Sequence, residues 1–399
     1  MQRAHTLPPG PLAPRARRWA RDNLFDGAWN SVLTVVAAAA LSLALFSLLR
    51  FVLVSADWTV VDANRRLLFV GRYPEAQDWR LWPPIWLLAT LGGLSFGLWI
   101  AIGRRGAAVL AAALAFVFLL LAEGSPALLL LVGVALAAGG YALARRRLRD
   151  GPAAGVAGRV VIAGWVAALP FTVLLLMAGD GVRATLWGGL MLNLILAAVG
   201  IAGGFPLGVL LALGRASSYP VTRLASITYI ELMRGAPLIA WLLMARFVLP
   251  DFMPRAFVLD EIDIVMRAML VLALFSAAYI AEIVRGGLQS LSRGQVEAAR
   301  AIGLSTPQTT LLIVLPQALR AVIPPLVSQF ISLFKDTSLV FVLSLTDLLG
   351  AAGAAVEQRE FFGRQKETLL FVALLFWAGA FSMSRLSARL ERHLGVGER

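Results

Sequence analysis

Apolar runs about as long as a bilayer is thick recur along this chain, and they constrain its fold more than any other feature. A helix needs roughly 20 apolar residues to cross the hydrocarbon core. Runs near 31–54, 85–102, 159–177, 184–213, 265–284 and 321–345 reach or approach that length. Of the 399 residues 59% are hydrophobic and only 15% charged, where a soluble domain carries about 25% charged residues. The mean hydropathy is +0.79. These features define an all-α integral membrane protein in contact with a lipid bilayer.

The net charge of +13 would suggest nucleic acid in a soluble domain. Here the arginines sit in short turns between apolar runs, the pattern that retains loops on the cytoplasmic side. No nucleic-acid partner is needed to explain them. Cysteine is absent, which removes disulfides and thiolate metal sites. The two histidines, His5 and His393, lie near the termini, so no histidine-based metal or catalytic centre is expected.

Residues 1–30 read as a basic cytoplasmic tail, with Arg15, Arg17, Arg18 and Arg21 ahead of the first run. No small-residue cleavage site follows, so 31–54 is expected to be an uncleaved anchor. Residues 55–84 balance acids against arginines and read as an external loop, with Trp58, Tyr73, Trp79 and Trp82 placed to meet headgroups. A second span follows at 85–102. The third, at 107–121, and the fourth, ending near Ala144, are individually short and would also suit a re-entrant pair. The fifth covers 159–177. The sixth, 184–213, holds Gly200, Gly203, Gly204 and Gly208 for close helix approach, and Pro206, which should bend or break it. Residues 219–238 form an interfacial segment whose Arg234-Gly235 end opens a seventh span at 237–250. An acidic external loop at 251–263 and spans at 265–284, at 321–345 and ending near Met383 complete ten, although eight or nine also fit. Both termini then lie in the cytoplasm. Patterned charges concentrate after residue 182. The expected division is an accessory region at 31–181, a five-helix core at 182–390 and a cytoplasmic tail at 391–399.

One stretch between spans, within 285–320, does not read as a span. EAARAIGLSTPQTTLLIVLP (297–316) starts with charged and small residues, turns at Gly303, breaks at Thr306-Pro307 and ends its apolar run at Pro316. Two short helices joined at an angle by a glycine turn are expected. Such a hairpin at a membrane surface suits docking into a soluble partner.

This stretch resembles the cytoplasmic signature of binding-protein-dependent ATP-binding-cassette importer permeases: Glu-Ala-Ala, three residues, Gly, nine residues, Ile-x-Leu-Pro. Here these are Glu297, Ala298, Ala299, Gly303, Ile313, Leu315 and Pro316. The segments at 229–238, 276–304 and 315–339 are similar to the polar amino-acid subfamily. The longer N-terminal part, with RYPEAQDWR at 72–80, resembles the extended permeases of general L-amino-acid systems. The resemblance implies a transport subunit of the bacterial inner membrane. Its partners would be two ATPase subunits, a second permease that is a different chain rather than a self-copy, and a periplasmic amino-acid-binding protein. The chain lacks the GxxxxGK[ST] phosphate loop, so ATP would be used by the partner and no cofactor is expected here.

Glu297, Ala298, Ala299 and Gly303, with Ile313 and Leu315, are then the expected ATPase contact, and Pro307 and Pro316 set the angle and end of its second helix. Glu282 and Arg285 are one turn apart and can pair, as can Glu231 and Arg234. Both pairs are candidates for an inner gate or for plain structural bridges. Lys335 and Asp336 interrupt an apolar run, where charge is costly unless it faces a cavity or a partner. They are the leading candidates for lining the translocation route, followed by Gln329, Thr337 and Ser338, while Phe330 and Phe334 read as packing. A non-transporting structural subunit and an ion-coupled secondary transporter are the alternatives. The docking signature and the lack of an inverted repeat weigh against the second.

Overall fold

A computed structural model describes residues 19–99, 125–149, 154–179, 181–248, 250 and 263–394. It is an all-α, multi-span membrane protein. Among the described residues eight helical segments are long and apolar enough to cross a membrane, or nine if one bent pair counts as a span. The expected third span and the loop at 251–262 lie outside the described residues. Residues 1–58 and 59–399 form two separate compact units.

In the first unit, α1 (Ala28–Arg50) continues through a wider turn at Phe51–Ser55, and none of its residues is buried. An apolar helix with no protected face is suited to lipid, not to water. The Trp58 indole donates to the Val52 carbonyl at 3.0 Å.

The second unit begins where an open loop was expected. Residues 59–80 instead fold into α2 (Thr59–Ala63), α3 (Arg65–Val70) and a tight 3-10 turn at Glu75–Arg80. Val60, Val61 and Leu68 supply its interior. Arg66 donates to both Asp78 oxygens at 2.7 and 2.9 Å and to the Tyr73 carbonyl at 2.6 Å. The hydrogen bond to Asp78 raises the Arg66 pKa further. Tyr73, expected at the headgroups, is only 2% exposed and joins the core beside Trp187. Its ring finds more apolar contact there than at an interface, although its hydroxyl has no protein partner. The chain then crosses close to itself at Gly71 (φ +69°), where a Cβ would lie 2.3 Å from the Gly188 Cα. Only glycine fits that backbone and that gap.

Helix α4 (Trp82–Trp99) packs against α5 (Ser125–Leu143) and α6 (Ala154–Met177). Gly93 sits on the Ala137 carbonyl and Gly97 on Ala144 and the Tyr141 carbonyl. In lipid such close backbone contact drives helix association, because burial of apolar surface gains little. These helices share a cluster of their own, formed by Leu91, Leu98, Ala144, Val161 and Ala168. Arg80, almost buried, donates to the Leu175 and Ala178 carbonyls at 2.7 and 2.8 Å. It thereby satisfies acceptors that the end of α6 leaves open.

The remaining elements centre on α7 (Gly189–Arg215) and α10 (Ile264–Ser290), the most extensively packed pair. Gly204 and Gly208 of α7 lie against Ser276 and Ile280 of α10. Helix α7 runs as one helix through Pro206, where a bend or break was expected. Between them in sequence come α8 (Pro220–Gly235) and α9 (Leu238–Leu243), the latter widening at Met244–Val248. The two meet at 99°. Pro237 has no amide hydrogen and pushes Ala236 into an extended conformation (φ −122°, ψ 151°), so α8 stops there.

After α10 come α11 (Arg293–Ala301), the short turn α12 (Thr306–Gln308), α13 (Leu315–Ala321) and α14 (Ile323–Asp336), which tightens into 3-10 turns at Thr337–Leu343. Helices α15 (Leu348–Val356) and α16 (Gln365–Leu394) complete the described chain. Phe334 is buried against Phe376 of α16 with ring centres 5.2 Å apart, which fits its expected packing role.

Candidate functional site

Three polar constellations stand out. The first is the segment α11–α13. Helix α11 ends at a glycine in the left-handed region, Gly303 (φ +85°), with Leu304 N–H donating to the Ala299 carbonyl and Gly303 N–H to that of Arg300. This is the Schellman termination, which any residue with a Cβ enters only with strain. Open space surrounds Gly303, so its backbone angle alone demands glycine. Ser305 then opens the next helical run with a reciprocal cap involving Gln308, and Pro307 occupies its first turn. Glu297 and Ala298 are exposed, whereas Ala299 faces inward at 4% exposure. Ile302, Leu311 and Leu312 are exposed as well, and Ile313 and Leu315 are half-buried.

Pro316 does not end the second helix as expected. The chain continues helically to Ala321 through a widened stretch at Thr309–Val314 just before the proline. A proline ring clashes with the carbonyl four residues back, and a wider turn moves that carbonyl aside. The segment is tied to its neighbours by Gln317, which donates to Ile313 O at 2.8 Å and to Gln295 at 3.4 Å. It also rests closely on α10, where Gly287 meets the Ala318 carbonyl.

The second constellation surrounds Glu282. One carboxylate oxygen accepts from Arg215 at 2.8 Å, and the other from Arg285 at 3.0 and 2.8 Å. Arg285 also donates to Gln289 at 2.7 Å. The Glu282–Arg285 bridge expected from the spacing is present. The Glu231–Arg234 bridge is not: Glu231 pairs with Arg215 at 3.1 Å, and Arg234 reaches towards Glu282 at 3.9 Å. Each is instead paired with a residue on a neighbouring helix, Glu231 with Arg215 of α7 and Arg234 with Glu282 of α10. Arg215 was not among the candidate residues read from the sequence. Its partners lie 16 and 67 positions away, so no local pattern reveals them.

The third constellation was not anticipated. Asn193 donates to Thr337 Oγ1 at 3.1 Å and to Asp347 at 3.3 Å, and accepts from the Leu348 amide at 2.8 Å. Asp347 caps α15 by accepting from the Leu349 and Gly350 amides. Burial pushes its carboxyl up to about 6, against the lowering effect of those hydrogen bonds. All three side chains are wholly buried. Thr337, taken as a route-lining residue, instead uses its hydroxyl on Asn193 and on the Phe334 carbonyl. It serves as an internal strut. Of the other lining candidates, Lys335 is exposed, while Gln329, Asp336 and Ser338 are half-buried.

A multi-span α-helical scaffold, with Glu297 and Ala298 exposed ahead of the Gly303 turn, is consistent with a class of proteins, that of membrane permease subunits. Residues 204–396 match the family model "Binding-protein-dependent transport system inner membrane component". The chain is 35% identical over 413 residues to the inner membrane amino-acid ABC transporter permease protein YhdY of Escherichia coli (strain K12), covering 98% of this chain and 97% of that one. It is 34% identical over 429 residues to the glutamate/glutamine/aspartate/asparagine transport system permease protein BztC of Rhodobacter capsulatus, covering 96% of each. It is also 41% identical over 131 residues to BztB of the same named system, 33% of this chain and 30% of that one. The chain belongs to the permease family of binding-protein-dependent ABC amino-acid importers, whose members are transport subunits and not enzymes.

Proposed function

We propose that this permease carries polar L-amino acids across the bacterial inner membrane, along a path built by a five-helix core at 182–390. The accessory region at 31–181 supports that core and its assembly. The segment 285–320 faces the cytoplasm, as do both termini, and receives two ATPase subunits. A periplasmic binding protein delivers substrate to the opposite side. The second permease is a different chain, a reading supported by BztB and BztC, two permease proteins of one named system that both resemble this chain. Gln329, Lys335, Asp336 and Ser338 contribute polar surface to the route. The Glu282 cluster ties α7, α8 and α10 together near the coupling end and acts on the inner gate.

The observation that carries this reading is the termination of α11 at Gly303, which presents Glu297, Ala298 and Ile302 together on an accessible hairpin. Closure of the ATPase pair displaces that hairpin, and its contact with α10 passes the motion into the core. Gly303→Val imposes roughly 1–2 kcal/mol of backbone strain, which corresponds to about a 5–30-fold loss of ATPase affinity if the hairpin is the dock. Titration of purified ATPase onto the permease pair in nanodiscs measures that affinity. Uptake of labelled L-glutamine into proteoliposomes holding all components tests the whole proposal. Uptake that persists without the ATPase overturns it.

A further inference from the structure

Helices α4, α5 and α6 have ends at one shared level. Gly97 of α4 rests on Ala144 and on the backbone of Arg145, and Gly158 of α6 faces the Trp99 ring. Trp99, the last residue of α4, is 39% exposed, and an indole in that position suits the headgroup zone. The helical path of α5 does not stop there. It continues through a wider turn at Ala144–Leu148, and the Arg149 amide donates to the Ala144 carbonyl at 2.9 Å. Ala144 is buried in the cluster that holds Leu98 and Val161, and Leu148 packs against that cluster. The turn is held in place by these contacts, with Arg145, Arg146, Arg147 and Arg149 exposed around it.

Arginines elsewhere near helix ends are committed to the protein. Arg80 donates to the Leu175 and Ala178 carbonyls, and Arg392 to the Ala388 carbonyl. Arg385 lies over the Phe381 ring at 4.8 Å. Among the described residues, the side chains of Arg145, Arg146, Arg147 and Arg149 bond to no carbonyl, acid or ring. Retention of a basic turn on one side of a membrane calls for positive charge but not for a fixed arrangement of it. Here the arrangement is fixed by packing beneath the turn. Just beyond it, further into the spans, Leu143 of α5 and Val160 and Ile162 of α6 are exposed. A fixed group of free guanidiniums thus adjoins an apolar flank.

We propose that Arg145, Arg146, Arg147 and Arg149 bind the phosphate of an anionic phospholipid, whose acyl chains lie along the apolar flank below them. The guanidinium fork matches two phosphate oxygens through parallel hydrogen bonds. A phospholipid with no net charge brings an ammonium close to the same arginines and loses most of that attraction. A free phosphate ester gains nothing from the apolar flank. Each arginine at an anionic membrane surface strengthens association by about fivefold, and salt weakens it. The accessory region thereby holds a ligand of its own, and this inference stands whether or not the transport reading does.

The test is titration of the assembled permease–ATPase complex, in neutral detergent, with dioleoylphosphatidylglycerol, the bound lipid being counted by native mass spectrometry. Dioleoylphosphatidylcholine and glycerol phosphate are the comparison compounds. Phosphatidylglycerol is expected to bind about 20-fold more tightly than phosphatidylcholine. Glycerol phosphate in large excess is expected not to displace it. Arg145→Gln, Arg146→Gln, Arg147→Gln and Arg149→Gln together should weaken phosphatidylglycerol binding by about tenfold or more and leave phosphatidylcholine unchanged. Lysine at the same four positions should recover most of the loss, which separates loss of charge from loss of fold. Arg385→Gln with Arg389→Gln, at the end of α16, should change binding by less than about twofold. The comparison of compounds on the unaltered complex does not depend on any variant folding. Equal binding of the two lipids, displacement by glycerol phosphate, or a loss at α16 as large as that at α5 overturns the proposal. So does a glutamine variant that keeps the lipid but loses the second permease, since the arginines would then be a protein contact.

Discussion

The two ends of α7 carry opposite solutions to the same problem, how to hold polar groups inside a membrane protein. Asn193 and Arg215 are separated by 22 residues, about 33 Å along the helix. At the Asn193 end, Asn193, Thr337 and Asp347 form a closed network, wholly buried, with each side chain bonded within the protein. At the Arg215 end, five charged side chains share one cluster that remains open to solvent and holds an excess positive charge. A fully satisfied buried network fixes one arrangement of the elements it joins. An open and unbalanced one keeps charge available for rearrangement or for a ligand. The closed end therefore reads as anchorage, and the open end as the working side of the core.

The largest expected effect comes from removing the hub of the open cluster. Glu282→Gln leaves Arg215 and Arg285 facing each other without the acid that both bind. Breaking a buried ion pair by deleting one partner costs about 3 kcal/mol at the lower end of its range, and the lower end applies because water reaches this cluster. Thermal unfolding of the purified permease pair should show the loss, accompanied by loss of uptake. A neutral outcome would mean that the arginines are independently solvated, and the contrast between the two ends would weaken.

The same contrast governs what could be read before the structure. Long apolar runs located the spanning helices, because about 20 apolar residues have few other destinations. The turn at Gly303 and the break at Thr306-Pro307 were legible from local chemistry, because each acts within a few residues. The folded segment at 59–80 was not: its helices are only five and six residues long, and it is held by contacts such as Asn64 with Gln358, distant in sequence. Asn193 and Asp347 passed unnoticed as single polar residues in apolar surroundings. Asp347 directly precedes a Leu-Leu-Gly-Ala run, so an N-cap signal was available there. Asn193, alone in a span, was a candidate for a buried partner on cost alone.

The closed network gives an intermediate effect with a definite pH signature. The Asp347 carboxyl lies at about 6 in the folded protein, against about 3.9 for an unperturbed aspartate. The folded state thus holds this proton more tightly than the unfolded state. Its contribution to stability is full below about pH 4, falls between pH 4 and 6, and is lost above that range. The difference amounts to about 1–3 kcal/mol. Asp347→Asn retains an N-capping side chain but does not titrate. Melting curves recorded from pH 4 to 7 should show the stability of the variant gaining on that of the parent as pH rises. A constant difference across that range would show that Asp347 is ionised in both states, and the network would then be charged rather than near-neutral.

The smallest expected effect on stability is the most discriminating. Arg234 stands 3.9 Å from Glu282, is 37% exposed and leaves the three shorter bridges of the cluster in place when removed. An accessible ion pair of this kind contributes between zero and about 1 kcal/mol. Some aromatic contact with Tyr279 is lost as well, of similar small size at an accessible site. Arg234→Gln should therefore melt close to the parent, within about 1 kcal/mol, and assemble normally with the ATPase. Its uptake should fall all the same, because the charge it removes is the one that the cluster does not neutralise. Stability and transport would then separate at Arg234 while falling together at Glu282. A large stability loss at Arg234 would instead make the open cluster a structural unit like its buried counterpart, and the functional distinction between the two ends of α7 would not hold.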